Sequence, residues 1–283
     1  MRNLVKGIAF LSTAVVCQTA SALVIDSTST DGTAMANNLL GTGISISNVS
    51  YYGGSNQSGF FSDGGSVLGF DDGLIMTSGS ALDAPGPNSS GGLTGNKGVG
   101  GGSGDADLNA LIPQSTNDAA VLSFDFETDS GDLYFNYVFA SEEYNEWVNS
   151  SFNDVFAFFV DGVNIAEAPD GQAVSINNVN CGNTGTGTGP NCDVYNNNSP
   201  AAYDIEYDGF TDKLVASITG LGAGTHTMKI AIADAGDSIL DSAVFLEAGS
   251  FSDIPDIPVP EPGSLALLSL GIAGLVLSRR KIH

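Results

Sequence analysis

The sequence predicts an all-β fold, namely a single β-sandwich or jelly-roll-like domain with one short helix. Ten short stretches are rich in β-type apolar residues and are separated by Gly, Asn, Asp and Pro, as strands and turns are. The chain also has 37 glycines in 283 residues, which suits turns and bends more than helices. The predicted strands are 43–49, 73–77, 120–126, 132–140, 154–160, 164–166, 173–176, 213–218, 225–233 and 242–248.

One segment has a helical pattern. Asp105 is a suitable N-cap, and Leu108, Leu111 and Ile112 would lie on one face of a helix over residues 105–112. We therefore expect one short helix in a protein made of strands.

Negative charge dominates the chain between its two ends. All 32 acidic residues lie within residues 26–261, where Lys97, Lys213 and Lys229 are the only cations. Such a surface has too few cations to displace counterions from phosphates, so it excludes nucleic acid as a partner and disfavours anionic lipid surfaces. Charged residues make up only 14% and hydrophobic residues 42%, so a folded core is still available.

The N-terminus has the pattern of a secretory signal peptide. Arg2 and Lys6 precede the apolar run 7–16, and Ala20-Ser21-Ala22 follows as an A-x-A cleavage site. We expect residues 1–22 to be removed on export.

The C-terminus combines three features, beginning with Pro260-Glu261-Pro262. An apolar run follows at 265–277, and then a basic cluster that includes Arg279 and Arg280. The run would span about 20 Å as a helix, which is short of a roughly 30 Å hydrocarbon core. Together these features resemble the PEP-CTERM sorting signal of Gram-negative bacteria.

This resemblance implies that an exosortase reads the Pro-Glu-Pro motif and processes the chain at the inner membrane. The protein would contact the membrane only transiently, through residues 260–283, and would keep no transmembrane helix afterwards. We therefore expect an exported protein at the cell surface or in the extracellular matrix. Whether it is released or attached covalently stays open.

A disulfide is expected within the mature chain. Once the signal peptide is removed, Cys181 and Cys192 are the two remaining cysteines, and an even pair in an exported protein predicts a bond between them. Chain-entropy arguments give such a bond roughly 3 kcal/mol for a loop of this size. The expected division of the mature chain is a β domain at 23–252, a Pro-rich spacer at 253–259 and the sorting signal at 260–283.

Three further segments resemble the choice-of-anchor L domain of bacterial surface proteins. The first, 134–162, contains the strings Ser-Glu-Glu-Tyr-Asn at 141–145 and Asn-Asp-Val-Phe at 153–156; the others are 206–211 and 232–246. The resemblance covers about residues 30–252 and implies a location and an architecture. It supplies no catalytic residue.

The mature sequence lacks the residues that most catalytic mechanisms need. A Ser-His-Asp arrangement needs an imidazole, and the mature domain contains only His226, at the start of a predicted strand. A zinc site would need more His or Cys. The glycine-rich loop around Lys97 lacks the spacing of a phosphate-binding loop.

Glycoside hydrolysis needs only two carboxylates, so it remains an alternative. Glu142 and Glu143 are adjacent and would point to opposite sides of an extended chain, so they cannot form that pair with each other. Either one could act with an aspartate from 232–246. Trp147, Tyr144 and Tyr137 are aromatic residues suited to stacking on a sugar.

A calcium ion accounts for the same carboxylates more simply, because Ca²⁺ takes six to eight oxygen ligands and needs neither His nor Cys. The candidate ligands are Glu142, Glu143, Asp234, Asp237 and Asp241. Their spacing is not that of an EF-hand. Two simpler interpretations stay open: the acids are turn residues that face solvent, or the acidic surface suits salty surroundings without any site.

The sequence therefore predicts an exported, exosortase-sorted protein with a structural or adhesive role in an exopolysaccharide-rich coat. Ca²⁺ is the candidate stabilising ion, and surface glycans are candidate partners. The alternatives are a secreted carbohydrate-active enzyme that uses paired carboxylates and a spacer that binds no ligand.

Overall fold

A computed structural model of the chain describes residues 22–94 and 102–255, and these residues contain fourteen strands and two short α-helices. The strands are β1 Val24–Thr28, β2 Ile44–Tyr52, β3 Ser58–Ser62, β4 Gly73–Thr77, β5 Thr116–Thr128, β6 Leu133–Ser141, β7 Val155–Val160, β8 Val163–Asn164, β9 Val174–Ser175, β10 Tyr195–Asn197, β11 Gly209–Thr211, β12 Leu214–Ile218, β13 His226–Ala235 and β14 Ser242–Glu247. The helices are α1 Gly32–Leu39 and α2 Gly65–Leu68.

The strands form two antiparallel sheets. The larger sheet has eight strands in the order β1-β3-β4-β14-β6-β11-β10, with β12 also paired to β6. The smaller sheet has six strands in the order β2-β5-β13-β7-β8, with β9 paired to β7. The predicted all-β sandwich is thus confirmed, and each of the ten predicted strands overlaps an observed one.

The prediction of a helix over 105–112 was wrong. The segment holds only a 3₁₀ turn at Leu108–Ala110. Asp105 Oδ1 does accept hydrogen bonds from the backbone N–H groups of Asp107 and Leu108, at 3.0 and 3.1 Å. A longer helix does not follow, because the Ala110 and Leu111 N–H groups donate to carbonyls three residues back, as in a 3₁₀ turn, and Pro113 has no N–H to continue the series.

Helix α1 was not predicted from the sequence. Asp31 caps it by accepting hydrogen bonds from the backbone N–H groups of Thr33 and Ala34, and Met35 and Leu39 are buried. Four of its eight residues, Gly, Thr and two Asn, are weak helix formers and the helix is short, so it depends on its burial against the sandwich.

The core between the sheets is mainly aromatic. The ring of Phe251 lies edge-to-face against Phe124, Phe126 and Phe135, with centroid distances of 5.3, 5.4 and 5.6 Å. Phe251 follows the last strand and is fully buried. The end of the domain is therefore anchored in the core.

The faces of the two sheets that point away from the core between them are also buried. On β6, Tyr137 and Phe139 pack into the core between the sheets, whereas Val138 and Ala140 pack into a second apolar cluster. The outer face of the smaller sheet is covered by Leu108 and its neighbours. Burial on both faces explains why these strands read as continuous apolar runs.

The disulfide between Cys181 and Cys192 is present, with a Cα–Cα distance of 4.8 Å. Among the described residues, no helix has the length and apolarity needed to cross a membrane. The predicted signal peptide, the loop around Lys97 and the C-terminal sorting signal lie outside the described residues.

Candidate functional site

One end of the sandwich gathers the ends of strands from both sheets. In the larger sheet, Ser141 at the end of β6 pairs with Gly209 and with Ser242, which begin β11 and β14. In the smaller sheet, the end of β13 pairs with the starts of β5 and β7. The Ser242 hydroxyl donates to Asp154 Oδ2 at 2.7 Å and so joins the two sheets at this end.

Eight buried carboxylates lie at these strand ends. Alternation along β7 and β13 explains two of them, because Asp154 and Asp234 continue the inward-facing rows that contain Phe156 and Ile232. Buried acids are rare unless they are paired. The eight are Asp118, Glu142, Glu143, Asp154, Glu206, Asp208, Asp234 and Asp241.

The cationic side chains of the described residues contact other acids. Lys229 Nζ lies 2.6 Å from Asp105 Oδ2 and 2.7 Å from Asp107 Oδ2. Lys213 Nζ lies 3.7 Å from Glu247 Oε2. These ion pairs therefore involve acids outside the group of eight buried carboxylates.

Glu143 belongs to a group with Asp154, Asp234, Asp237 and Asp241, called the Glu143 cluster below. Burial raises the pKa of Glu143 to about 9, and the charges of Asp237, Asp234 and Asp241 add to this rise. Burial likewise raises the pKa of Asp154, with a further contribution from Glu143, and that of Asp234, with one from Asp154. A bound cation would reduce the electrostatic repulsion among these buried carboxylates.

The hydrogen bonds in the Glu143 cluster are unevenly distributed. Both oxygens of Asp154 accept hydrogen bonds, Oδ1 from the Ala235 N–H and Oδ2 from Ser242. In contrast, Glu143 Oε2 and both oxygens of Asp234 have no partner. The Ser78 hydroxyl near Asp234 is engaged with the backbone of Ser242. Asp154 is therefore held in place, while Glu143 and Asp234 keep lone pairs for a ligand.

Glu142 belongs to a different group with Glu206 and Asp208, called the Glu142 cluster below. Burial raises the pKa of Glu142 to about 8, and the charges of Asp208 and Glu206 contribute. Burial also raises the pKa of Asp208 to about 6, with Glu146 and Glu206 adding to the rise. These carboxylates hold the segment 88–93, and their contacts are described further below.

Of the five predicted ligands, Glu143 interacts electrostatically with Asp234, Asp237 and Asp241, whereas Glu142 belongs to the other cluster; their role as metal ligands stays a prediction. Sequence reasoning missed Asp154, Glu206 and Asp208 as site residues. Burial, although not the clustering, could be inferred for Asp154 and Asp208, because each directly precedes a buried strand; Glu206 carries no such signal.

The described carboxylates can provide only part of a coordination shell as they lie. In residues 22–94 and 102–255, no three Asp, Glu, His or Cys side chains converge closely enough to hold one metal ion. An ion would therefore combine two carboxylates with neutral oxygens of Asn, Ser, the backbone or water. Ca²⁺ accepts this mixture of oxygen ligands.

Burial makes the carboxylates of Glu142 and Glu143 poorly accessible to a sugar. Glu142 and Glu143 are each only 1% exposed, whereas a glycosidase must bring a sugar ring to both of its carboxylates. Two of the proposed stacking residues, Tyr137 and Tyr144, are also fully buried, because their strand and loop pack into the core; Trp147 is 42% exposed. A separate pocket has Glu247 as its one acid and is lined by Thr42, Asn136, Glu247, Ala248, Gly249, Ser250, Ser252, Ile254 and Pro255.

Comparison with known protein families gives two matches. The family model of the choice-of-anchor L domain matches residues 24–252, and that of the PEP-CTERM protein-sorting motif matches residues 258–281. No curated protein and no solved structure matches the chain. The first match includes both acid clusters, and the second lies outside the described residues.

Proposed function

The chain belongs to the choice-of-anchor L domain family and ends in a PEP-CTERM motif, and from this we propose that it is a structural or adhesive protein of an exopolysaccharide-rich coat, with a folded domain stabilised by Ca²⁺. The motif indicates an exported protein that an exosortase sorts to the surface or exterior of a Gram-negative bacterium. Both matches suggest a non-catalytic surface protein.

In this proposal the parts of the chain have separate tasks. Residues 1–22 direct export and are removed, residues 23–252 form the working domain, and residues 253–259 separate it from the sorting signal at 260–283. The signal contacts the membrane only until the exosortase has acted.

The observation that carries the calcium proposal is the Glu143 cluster. Five carboxylates gather where two sheets meet, and four of them, Glu143, Asp154, Asp234 and Asp241, are buried. Repulsion among them opposes folding when they are ionised, and a divalent cation would turn this repulsion into attraction. An ion bound by Glu143 and Asp234 would link the end of β6 to the end of β13, and thus one sheet to the other.

An extracellular structural role fits the other features of the domain. The disulfide and the two-sided core would stabilise it in addition to a bound ion. The acidic side chains that remain on the surface would also bind Ca²⁺ shared with acidic polysaccharides. The alternative of a carbohydrate-active enzyme has weaker support, because its candidate carboxylates are inaccessible.

Calcium binding can be followed at Trp147, which is the single tryptophan of the chain and whose backbone N–H donates to the Glu143 carbonyl oxygen at 3.2 Å. We expect Ca²⁺ to change its fluorescence with saturation in the mature exported protein. Asp234→Asn should weaken this response, whereas Glu127→Gln, which removes an exposed charge, should not. A response without saturation, or equal responses of both variants, would contradict a site in the Glu143 cluster.

The adhesive role needs a separate experiment. Purified mature protein should sediment with exopolysaccharide from the producing cells in Ca²⁺ and be released by EDTA. Absence of the protein from the pellet under both conditions would argue against adhesion to this material.

A further inference from the structure

We propose that a second cation site lies between Glu142 and Asp208, and that the ion bound there fastens the segment 88–93 to the end of the larger sheet. This site is separate from the Glu143 cluster and stands whether or not that cluster binds Ca²⁺. Such a site goes beyond the proposed function, because the attachment of this segment would depend on the Ca²⁺ concentration around the protein.

The segment 88–93 is held by the acids of the Glu142 cluster. Asn88 Nδ2 donates to Asp208 Oδ1, and the Ser89 N–H and hydroxyl donate to the carboxylate of Glu206 at 3.0–3.1 Å. The Leu93 N–H donates to Glu142 Oε1 at 3.0 Å. Donors at the start and at the end of the segment thus contact three different carboxylates.

Two carboxylates of the Glu142 cluster each have one oxygen without a hydrogen-bond partner. Glu142 and Asp208 are 1% and 2% exposed, and each has one oxygen in a hydrogen bond with the segment. Their other oxygens, Glu142 Oε2 and Asp208 Oδ2, are buried and have no partner. A buried carboxylate oxygen without a donor is costly, and it is the atom that a hard cation would bind.

The backbone at Gly91 leaves space beside Asp208 Oδ2. A Cβ atom added there would lie 3.1 Å from Asp208 Oδ2 and 4.0 Å from Glu146 Oε1. A glycine therefore stands where a side chain would occupy the space in front of the free Asp208 oxygen. The backbone of Gly91 is not in the left-handed region, so the need for space, and not for an unusual φ, explains the glycine.

A cation would compete with protons at this site, because burial raises the pKa of Glu142 to about 8. Each of the three carboxylates accepts hydrogen bonds from N–H or O–H donors of the segment, and such bonds stabilise the ionised form. Ionised Glu142 and Asp208 repel each other in a buried place unless a cation lies between them. Ca²⁺ suits the site better than Mg²⁺, because Ca²⁺ accepts an irregular set of oxygen ligands whereas Mg²⁺ requires a nearly ideal octahedron.

Hydrogen exchange of the Ser89 and Leu93 amides in the mature exported protein tests this site, with Ca²⁺ alone as the probe. Both amides donate to the cluster, so we expect exchange in EDTA to be at least about tenfold faster than in millimolar Ca²⁺. Mg²⁺ at equal ionic strength should not restore the protection. Equal exchange in EDTA and Ca²⁺, or equal protection by Mg²⁺ and Ca²⁺, would overturn the proposal.

Variants distinguish this site from the Glu143 cluster. Asp208→Asn should abolish the effect of Ca²⁺ on Ser89 and Leu93, whereas Asp237→Asn, in the other cluster, should preserve it. Gly91→Ala provides a milder test that does not alter a buried charge. It should raise the Ca²⁺ concentration needed for half-maximal protection about tenfold. An unchanged Ca²⁺ dependence in Gly91→Ala, or an intact response in folded Asp208→Asn, would overturn the assignment.

Discussion

Glu142 and Glu143 are neighbours in the chain, yet their carboxylates belong to two different buried acid clusters. Glu142 lies with Asp208 and Glu206, and Glu143 lies with Asp234, Asp237 and Asp241. Both residues directly follow β6, where successive side chains of an extended chain point to opposite sides. One dipeptide at the end of a central strand thus contributes to two sites at once.

The stability of the metal-free protein should decrease as the pH rises from about 5 to 9. Burial raises the pKa of Glu143 to about 9 and that of Glu142 to about 8, from 4.5. A group with a raised pKa in the folded state stabilises the fold below its unfolded pKa, and this contribution is lost as the pH rises through the folded pKa. Denaturant unfolding in EDTA should show a loss on the order of 2–4 kcal/mol over this window. A constant or rising free energy of unfolding would contradict the assigned burial of these acids.

Substitution of Glu143 by Gln should have opposite effects with and without calcium. In EDTA the variant should be at least as stable as the wild type near pH 8, because Gln is neutral in both states, whereas burial of Glu143 requires its carboxylate, ionised in the unfolded chain, to take up a proton. In Ca²⁺ it should be the less stable protein, because a proposed ligand is lost. Thermal melts of the wild type and Glu143→Gln, each in EDTA and in Ca²⁺, measure this reversal of the order of stability. Glu127→Gln is the control for the loss of an exposed charge. The same order of stability in EDTA and Ca²⁺ would speak against Glu143 as a ligand.

Removal of the disulfide should destabilise the domain without affecting either acid cluster. The Cys181→Ala/Cys192→Ala variant loses a constraint on the unfolded chain that is worth about 3 kcal/mol, so its Tm should fall by roughly 6–12 °C. A reducing agent should lower the Tm of the wild type and leave that of the variant unchanged. The Ca²⁺ response of Trp147 should survive; its disappearance would show that the loop closed by the disulfide supports the site.

Phe251 should be among the most sensitive core positions, although it lies after the last strand. Its ring contacts Phe124, Phe126 and Phe135, so Phe251→Ala would leave a cavity in the aromatic core. We expect a loss of about 3–5 kcal/mol in the free energy of unfolding. Val215→Ala, at an exposed strand position, is the matched control and should change stability little. A similar small loss for both variants would show that this end of the domain is not anchored in the core.

The sequence was sufficient for the fold class because the long central strands are buried on one or both faces and therefore contain regular apolar patterns. It was not sufficient for β1, β3, β10 and β11, which are short and rich in Ser, Gly or Asn. Helix α1 was also missed, since its capping by Asp31 and its packing outweigh weak local preferences.

The candidate site was less accessible to sequence reasoning than the fold. The three aspartates within 234–241 are close in the chain, so their grouping followed from spacing alone. Asp154 and Asp208 join their clusters through pairing between distant strands, as in the contact of Ser242 with Asp154, and no local pattern reveals that pairing. Whether an acid at a turn faces solvent or the interior also depends on the loops that cover it.

The most direct test of the central claim is a thermal melt of the mature protein in EDTA and in millimolar Ca²⁺, with Mg²⁺ at equal ionic strength as the control. A single site at a Ca²⁺ concentration of about 100 times its Kd adds about 2.7 kcal/mol, which corresponds to a rise in Tm of about 5–11 °C for a domain of this size. We predict this rise with Ca²⁺ and a much smaller one with Mg²⁺. Equal shifts with both ions would mean charge screening alone, and the absence of any shift would contradict calcium stabilisation of the buried acids.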